Sequence, residues 1–433
     1  MSVPISTSIE GAAQLLRPPQ DGLPYLRLDR AGELRAEPGS LTLGDDGRIA
    51  ALEASRGAAQ RIDARGCAVV PGFVDCHTHL PFAGWRADEY ALKVAGRPYE
   101  EIARAGGGIR SSARALAEAD DEQVLAQAGG LAAEMLAHGT TTFETKSGYG
   151  LSIDAETRAL RLAGALAGRV AQEVCSTALV AHAVPDGFDA DGWLDAIEAA
   201  LPAMLGATGV QTSGAAGEAA PLATRVQALD VYVESVAFTN AHLERVGALA
   251  AEHGLDLRAH VEQFAQHRSV PVALRAGARS VDHLACLHPD DLRALAAAEC
   301  AAVLLPGAEF LGEEPLAPGR ALADAGAIAV LATDANPGTS PIVSLPLAIG
   351  LAVRRYRWTP REALLAATLN AAWVLRRSHE TGSLEVGKRA DVLVLDGPIE
   401  SVPYRFGHNP VAFAFAGGRL VHVRPDCAWR LSA

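Results

Sequence analysis

Two histidines on alternate residues, His77 and His79, stand where the apolar run CAVVPGFVDC ends. Residues two apart on a strand point to the same side, so both imidazoles face one point while Thr78 turns away. Further along, His260 closes the apolar segment GLDLRAH and Asp334 closes AIAVLATD. Three neutral imidazoles and a carboxylate suit a borderline transition metal and leave a position for water, which the ion makes nucleophilic near neutral pH. Taken singly, each group has an ordinary explanation as a hydrogen-bonded core histidine or a carboxylate capping a turn. Four of them at the ends of three apolar runs point instead to one shared pocket. His283, ending ARSVDH, would stand over the same pocket, either polarising a carbonyl or binding a second ion. The first is preferred, because a binuclear site of this kind needs a bridging lysine carboxylate. Asp334 could also take a proton from water and pass it to a leaving nitrogen, which a ligating histidine does less readily.

Positioning such groups requires strands that end side by side. From Val70 to about Ala372, short β-branched or apolar runs alternate with alanine- and leucine-rich helical stretches, the pattern of repeated βα units. Eight candidate strands end near His77, Glu144, His182, Glu234, His260, His283, Pro306 and Asp334, and all but one carry a polar residue there. In a (β/α)8 barrel those ends converge on the catalytic face. Outside this region, Leu41 to Asp63 and Asp391 to Val423 are strand-like pieces broken by the turns GDDG, GKRAD and AGG. The expectation is an α/β chain: a TIM-like barrel over residues 71–385 and a small β-sandwich domain built from both chain ends, residues 1–70 and 386–433. Residues 206–223, GATGVQTSGAAGEAAPLA, lack either periodicity and read as a loop inserted between two barrel strands.

The chain of 433 residues is long enough for a large core, and alanine-rich helices on buried strands fit its apolar, aromatic-poor composition. A formal charge of −13 without a basic run gives no support for binding nucleic acid or anionic lipid, so a small molecule is the expected partner. The six cysteines are dispersed without paired spacing and read as reduced core residues. No signal-like segment or membrane-length apolar run is present, so a cytoplasmic location is expected.

The run PGFVDCHTHLPFAGWR, with YEEIARAGGGI, TKSGYG, AHAVP, ATDANPGTSP and YRFGHNPV, resembles the imidazolonepropionase family of the amidohydrolase superfamily over nearly the whole chain. The metal-ligand pattern is shared by many amidohydrolases; FAGWR, ARAGGGI, KSGYG and TDANPGTSP are the narrower signals. The resemblance implies hydrolysis of the ring amide of 4-imidazolone-5-propanoate to N-formimidoyl-L-glutamate in histidine degradation, with one zinc or iron ion, in a homodimer. It implies that Arg86 binds substrate, where the guanidinium's planar fork matches a propionate carboxylate. Tyr149, between two glycines, is implied to contact substrate and product. His182 and Gln263, counted with Asp334 and His283 among the catalytic groups, are implied to hydrogen-bond the imidazolone ring. Asn336, Gly338 and Thr339 are implied to present polar groups to the substrate, while Lys146 reads as loop support or electrostatic help and Glu234 has no role beyond positioning a neighbour. The sequence departs from the family's usual pattern at Ala285, at His260-Val261-Glu262, at FET before KSGYG and at residues 206–223. Two alternatives remain open: another amidohydrolase reaction on a cyclic amide or an aminated ring, and a non-catalytic barrel scaffold.

Overall fold

In the computed structural model, which describes residues 6–97, 101–102, 105–207, 226–312 and 315–432, the strands divide between two sheets. Five strands lead the chain: β1 (Thr7–Arg17), β2 (Arg35–Leu43), β3 (Ile49–Ala51), β4 (Gln60–Asp63) and β5 (Ala68–Pro71). Eight follow: β6 (Phe73–Asp75), β7 (Thr140–Lys146), β8 (Glu173–Ala181), β9 (Val226–Tyr232), β10 (Asp256–Val261), β11 (Ser280–His283), β12 (Ala301–Leu304) and β13 (Ile328–Leu331). They pair in parallel in that order, one neighbour after the next. Beyond the last strand the circle is drawn together by Asp334 N–H donating to the His77 carbonyl (3.0 Å) and His79 N–H to the Ala335 carbonyl (2.8 Å). Three of the four expected metal ligands thus sit on the closing seam.

Period-two alternation explains what each strand offers to either side. On β10, Leu257, Ala259 and Val261 belong to the large apolar cluster shared with the surrounding helices, while Arg258 and His260 reach polar partners inside the barrel. On β9, Leu229 and Val231 pack outward and Asp230 points inward to His260 and Lys146. The barrel floor is apolar: Val74, Cys76, Cys175, Val303 and Val330 cluster with Ala371–Leu375, which spans the C-terminal end of the helix Leu369–Val374. A packed floor leaves only the opposite mouth for ligand.

The second sheet is mixed and nine-stranded, completed by β14 (Val392–Leu395), β15 (Val411–Ala416), β16 (Arg419–Val423) and β17 (Leu431–Ser432). Its core joins Ile9, Leu41, Leu43 and Val69 to Val392, Val394, Phe413 and Phe415, so both ends of the chain share one apolar cluster. The N-terminal strand β1 was not visible in the sequence, because register shifts between Ile9, Ala12 and Leu15 break its alternation. From residue 208 onward the small-residue segment at 206–223 lies outside the described residues; Gly206 and Ala207 belong to the last turn of the helix Ala190–Ala207. No helix among the described residues is long and apolar enough to cross a membrane.

Candidate active site

The barrel mouth holds four buried imidazoles in edge or tilted contact. Ring centres lie 4.5 Å apart for His77 and His260, 5.3 Å for His77 and His79, and 5.4 Å for His260 and His283. Two groups of donor atoms, His77 with His260 and His283 and His77 with His79 and Asp334, each fit within 4.8 Å. All four expected ligands are brought together, and a ring nitrogen of His283 lies within the same 4.8 Å of donor atoms of His77 and His260.

The hydrogen bonds show which ring nitrogens are available. His77 Nδ1 donates to Asp282 Oδ2 at 2.6 Å, and His260 Nδ1 donates to Asp230 Oδ1 at 3.0 Å. The Nε2 atoms of both rings are buried without a hydrogen-bond partner, as are Nδ1 of His79 and Nδ1 of His283. Asp334 Oδ1 lies 3.5 Å from His77 Nε2 and 3.4 Å from His79 Nε2. Buried polar atoms without partners are costly, and lone pairs converging on a carboxylate relieve that cost when a cation sits among them. A carboxylate behind a ligating imidazole fixes its tautomer and raises its basicity, and His77 and His260 both have that support. The site therefore fits a transition metal ion.

Burial drives His77, His79 and His182 well below the ordinary histidine pKa and His283 down to about 3, so these rings are neutral and able to act as ligands or hydrogen-bond partners. For His260 burial works the same way, but Asp230 outweighs it and raises the pKa. Burial raises the Asp334 carboxyl above the ordinary aspartate value. Asp334 (φ 55°) and His283 (φ 78°) both occupy the left-handed region, which costs energy for side chains of this kind and persists where packing dictates it.

Beneath the imidazoles lies a charged layer. Lys146 Nζ bridges Glu144 Oε1 (2.8 Å) and Asp230 Oδ2 (2.9 Å), and Arg258 Nη1 reaches Glu144 Oε1 at 3.0 Å. Burial opposes the ammonium charge of Lys146, yet Asp230 and Glu144 hold its pKa above the usual lysine value. Lys146 therefore lies inside the barrel, where its ion pairs favour electrostatic help over loop support. Asp230 and Asp282 were missed in the sequence; their only trace was a carboxylate two residues before a strand end in DVY and next to His283 in VDH.

Above the imidazoles, a pocket of about 400 Å3 of atom-free space, partly open to solvent, is lined by His79, Arg86, Tyr149, His182, Gln263, His283, Asp334, Asn336 and Thr339. His260 completes it together with Ile109, Tyr232 and Phe264, and the last three were not anticipated. Arg86 is 6 % exposed, far from the solvated surface position that its loop location suggests by itself. Its guanidinium lies 3.2 Å from Ser112 Oγ and 3.4 Å from Glu89 Oε2, and its backbone N–H donates to the Pro337 carbonyl. Gly338 does not line the pocket; a β-carbon there would collide with the Arg86 guanidinium, so glycine makes room for it. Asn336 spends its amide on its own loop, accepting from Gly338 N–H (2.9 Å) and Thr339 N–H (2.7 Å) and donating to Thr339 Oγ1 (2.8 Å). The Gly148 carbonyl can only accept, so at 3.0 Å it places the proton of His182 on Nδ1 and leaves Nε2 an acceptor. Glu156 takes the N–H groups of Gly148, Gly150 and Leu151, which shapes the turn carrying Tyr149.

The Amidohydrolase family model matches residues 68–421. Among curated proteins, the imidazolonepropionase of Herpetosiphon aurantiacus is 40% identical over 386 residues, covering 88% of this chain and 87% of that protein. That of Rubrobacter xylanophilus is 43% identical over 364 residues, covering 84% of each. The chain belongs to the imidazolonepropionase family of amidohydrolases. It is accordingly a hydrolase. Solved structures bear out the fold: a zinc-bound adenosine deaminase from Xanthomonas campestris superposes with a TM-score of 0.68 at 19% identity, covering 97% of this chain and 93% of that one. Ochratoxinase from A. niger does so with 0.67 at 19% identity, covering 98% and 96%.

Proposed function

We propose that the protein hydrolyses the ring amide of 4-imidazolone-5-propanoate to N-formimidoyl-L-glutamate, a step of histidine degradation, with a single zinc or iron ion. The observation that carries the substrate assignment is Arg86, a buried cation lining the same pocket as His79, His260, His283 and Asp334. Its guanidinium supplies a fixed fork for the propionate carboxylate.

His77, His79, His260 and Asp334 would hold the ion, with His283 within reach of His77 and His260. When bound, the ion supplies Lewis acidity for activating water and polarising a carbonyl. Lys146 is engaged as an ammonium by two carboxylates, which favours one ion over a pair bridged by a modified lysine. Tyr149, His182 and Gln263 orient the imidazolone ring, with His182 Nε2 accepting from a ring N–H. The attack forms a carbon–oxygen bond at the ring carbonyl and breaks the adjacent carbon–nitrogen bond. Asp334 takes the proton of the attacking water and delivers it to the departing ring nitrogen. His283, neutral at working pH, donates to the developing oxyanion. Asn336, Gly338 and Thr339 act by holding their loop against Arg86.

Arg86→Ala separates this reading from another amidohydrolase reaction. The variant should lose roughly a hundredfold in kcat/KM toward the propanoate, as expected for a charge-assisted pair, and little toward an imidazolone lacking the side chain. Equal turnover of both compounds by the wild type would exclude the carboxylate anchor.

A further inference from the structure

Two buried carboxylates bracket the loop that carries Gln263. Glu234, just beyond β9, is 4 % exposed and turns away from its own strand toward the loop following β10. Its Oε2 accepts the N–H groups of Phe264 (3.0 Å) and Ala265 (3.3 Å). Its Oε1 accepts Ser235 N–H (2.9 Å), Ser235 Oγ (3.2 Å) and His267 Nε2 (2.7 Å). From the other side, Glu262 accepts His267 N–H (2.8 Å) and Ser269 N–H (2.6 Å). The chain enters and leaves this stretch through left-handed residues, Glu262 at φ 57° and Arg268 at φ 56°, a conformation that needs tertiary support. Gln263 and Phe264, at its near end, both line the pocket.

We infer that Glu234 is a positioning residue for substrate: by fixing the backbone at Phe264 and Ala265 it holds the adjoining Gln263 side chain at the ring of the bound substrate. The inference rests on the proposed function for the identity of the substrate, whereas the clamp itself does not. An acceptor shared among five donors sets the loop's register, because the Glu234 carboxylate is itself buried and would lose its compensation if the donors of the half-buried loop moved away.

Glu234→Gln leaves one oxygen to do what two did, so either the Phe264 and Ala265 pair or the Ser235 and His267 pair loses its acceptor. In the metal-loaded protein, KM for 4-imidazolone-5-propanoate should rise about tenfold with kcat changed less than about threefold. In a Gln263→Ala background the same substitution should add nothing further, since its effect passes through Gln263. Hydrogen exchange without substrate should quicken at residues 263–268 and stay unchanged at 147–151. If Glu234→Gln does not fold, His267→Asn, which removes one donor at the part-exposed end, should give a smaller rise with the same dependence on Gln263. Unchanged exchange across 263–268, or KM effects that multiply with Gln263→Ala, would overturn the positioning role. A wild type inert toward the propanoate, combined with quickened exchange in Glu234→Gln, would overturn the substrate assignment and leave the clamp standing.

Discussion

The charged layer inside the barrel and the ionic cluster on the small sheet use the same chemistry to different ends. Inside, Lys146, Glu144, Asp230 and Arg258 are all buried, and their contacts finish on the imidazole of His260. On the small sheet, Asp396 gathers Arg405 (3.1 Å), His408 (2.6 Å) and Arg424 (2.8 Å) at a half-exposed site, and Arg424 also reaches Asp426. Water can replace a lost partner in the second cluster and has no access to the first. The buried layer fixes the His260 imidazole, while the outer one ties the C-terminal strands to each other.

Lys146→Met should have the largest effect. It leaves Glu144 and Asp230 facing each other in a dry interior, and breaking a buried pair of this kind costs about 3–5 kcal/mol. A clear drop in melting temperature together with lost metal would show it; a variant with wild-type stability and metal content would mean that the layer is not a unit. Asp282→Asn comes next. It spares the fold but weakens the support behind His77, so a chelator competition should show the ion held about 10- to 100-fold less tightly. Unaltered retention would confine the role of Asp282 to packing. The smallest effect belongs to Arg424→Ala, about 1 kcal/mol or less with turnover unchanged. At Asp396 burial raises the carboxyl pKa, but His408 and Arg424 outweigh it and leave the group below its ordinary 3.8. A lowered folded pKa gives stability that is present above 3.8 and is lost as pH falls through the folded value. Acid melting of Arg424→Ala should therefore show a smaller loss below about pH 4 than the wild type; an equal loss would remove the pair from the acid response.

Much of the barrel was legible because all but one of the parallel strands is an apolar run followed by a polar residue, and His77, His79, His260 and Asp334 mark such ends directly. What lay behind those ends was harder to read. Asp230 reaches His260 on the neighbouring strand and Asp282 reaches His77 from across the barrel, and neither relation is written in one strand alone. Lys146 was legible as a strand-end lysine, but its ion pair with Asp230 on β9 joins two strands and is not written in either. Glu234 acts on a loop 30 residues away in sequence, a relation that only the fold creates.

The central claim is that the braced imidazoles and Arg86 serve one hydrolytic reaction. The most direct test follows the absorbance of 4-imidazolone-5-propanoate with zinc- or iron-loaded protein and identifies the product by mass. The account predicts loss of substrate with formation of N-formimidoyl-L-glutamate, abolished by His260→Ala. Intact substrate in the presence of metal-loaded wild type would contradict it.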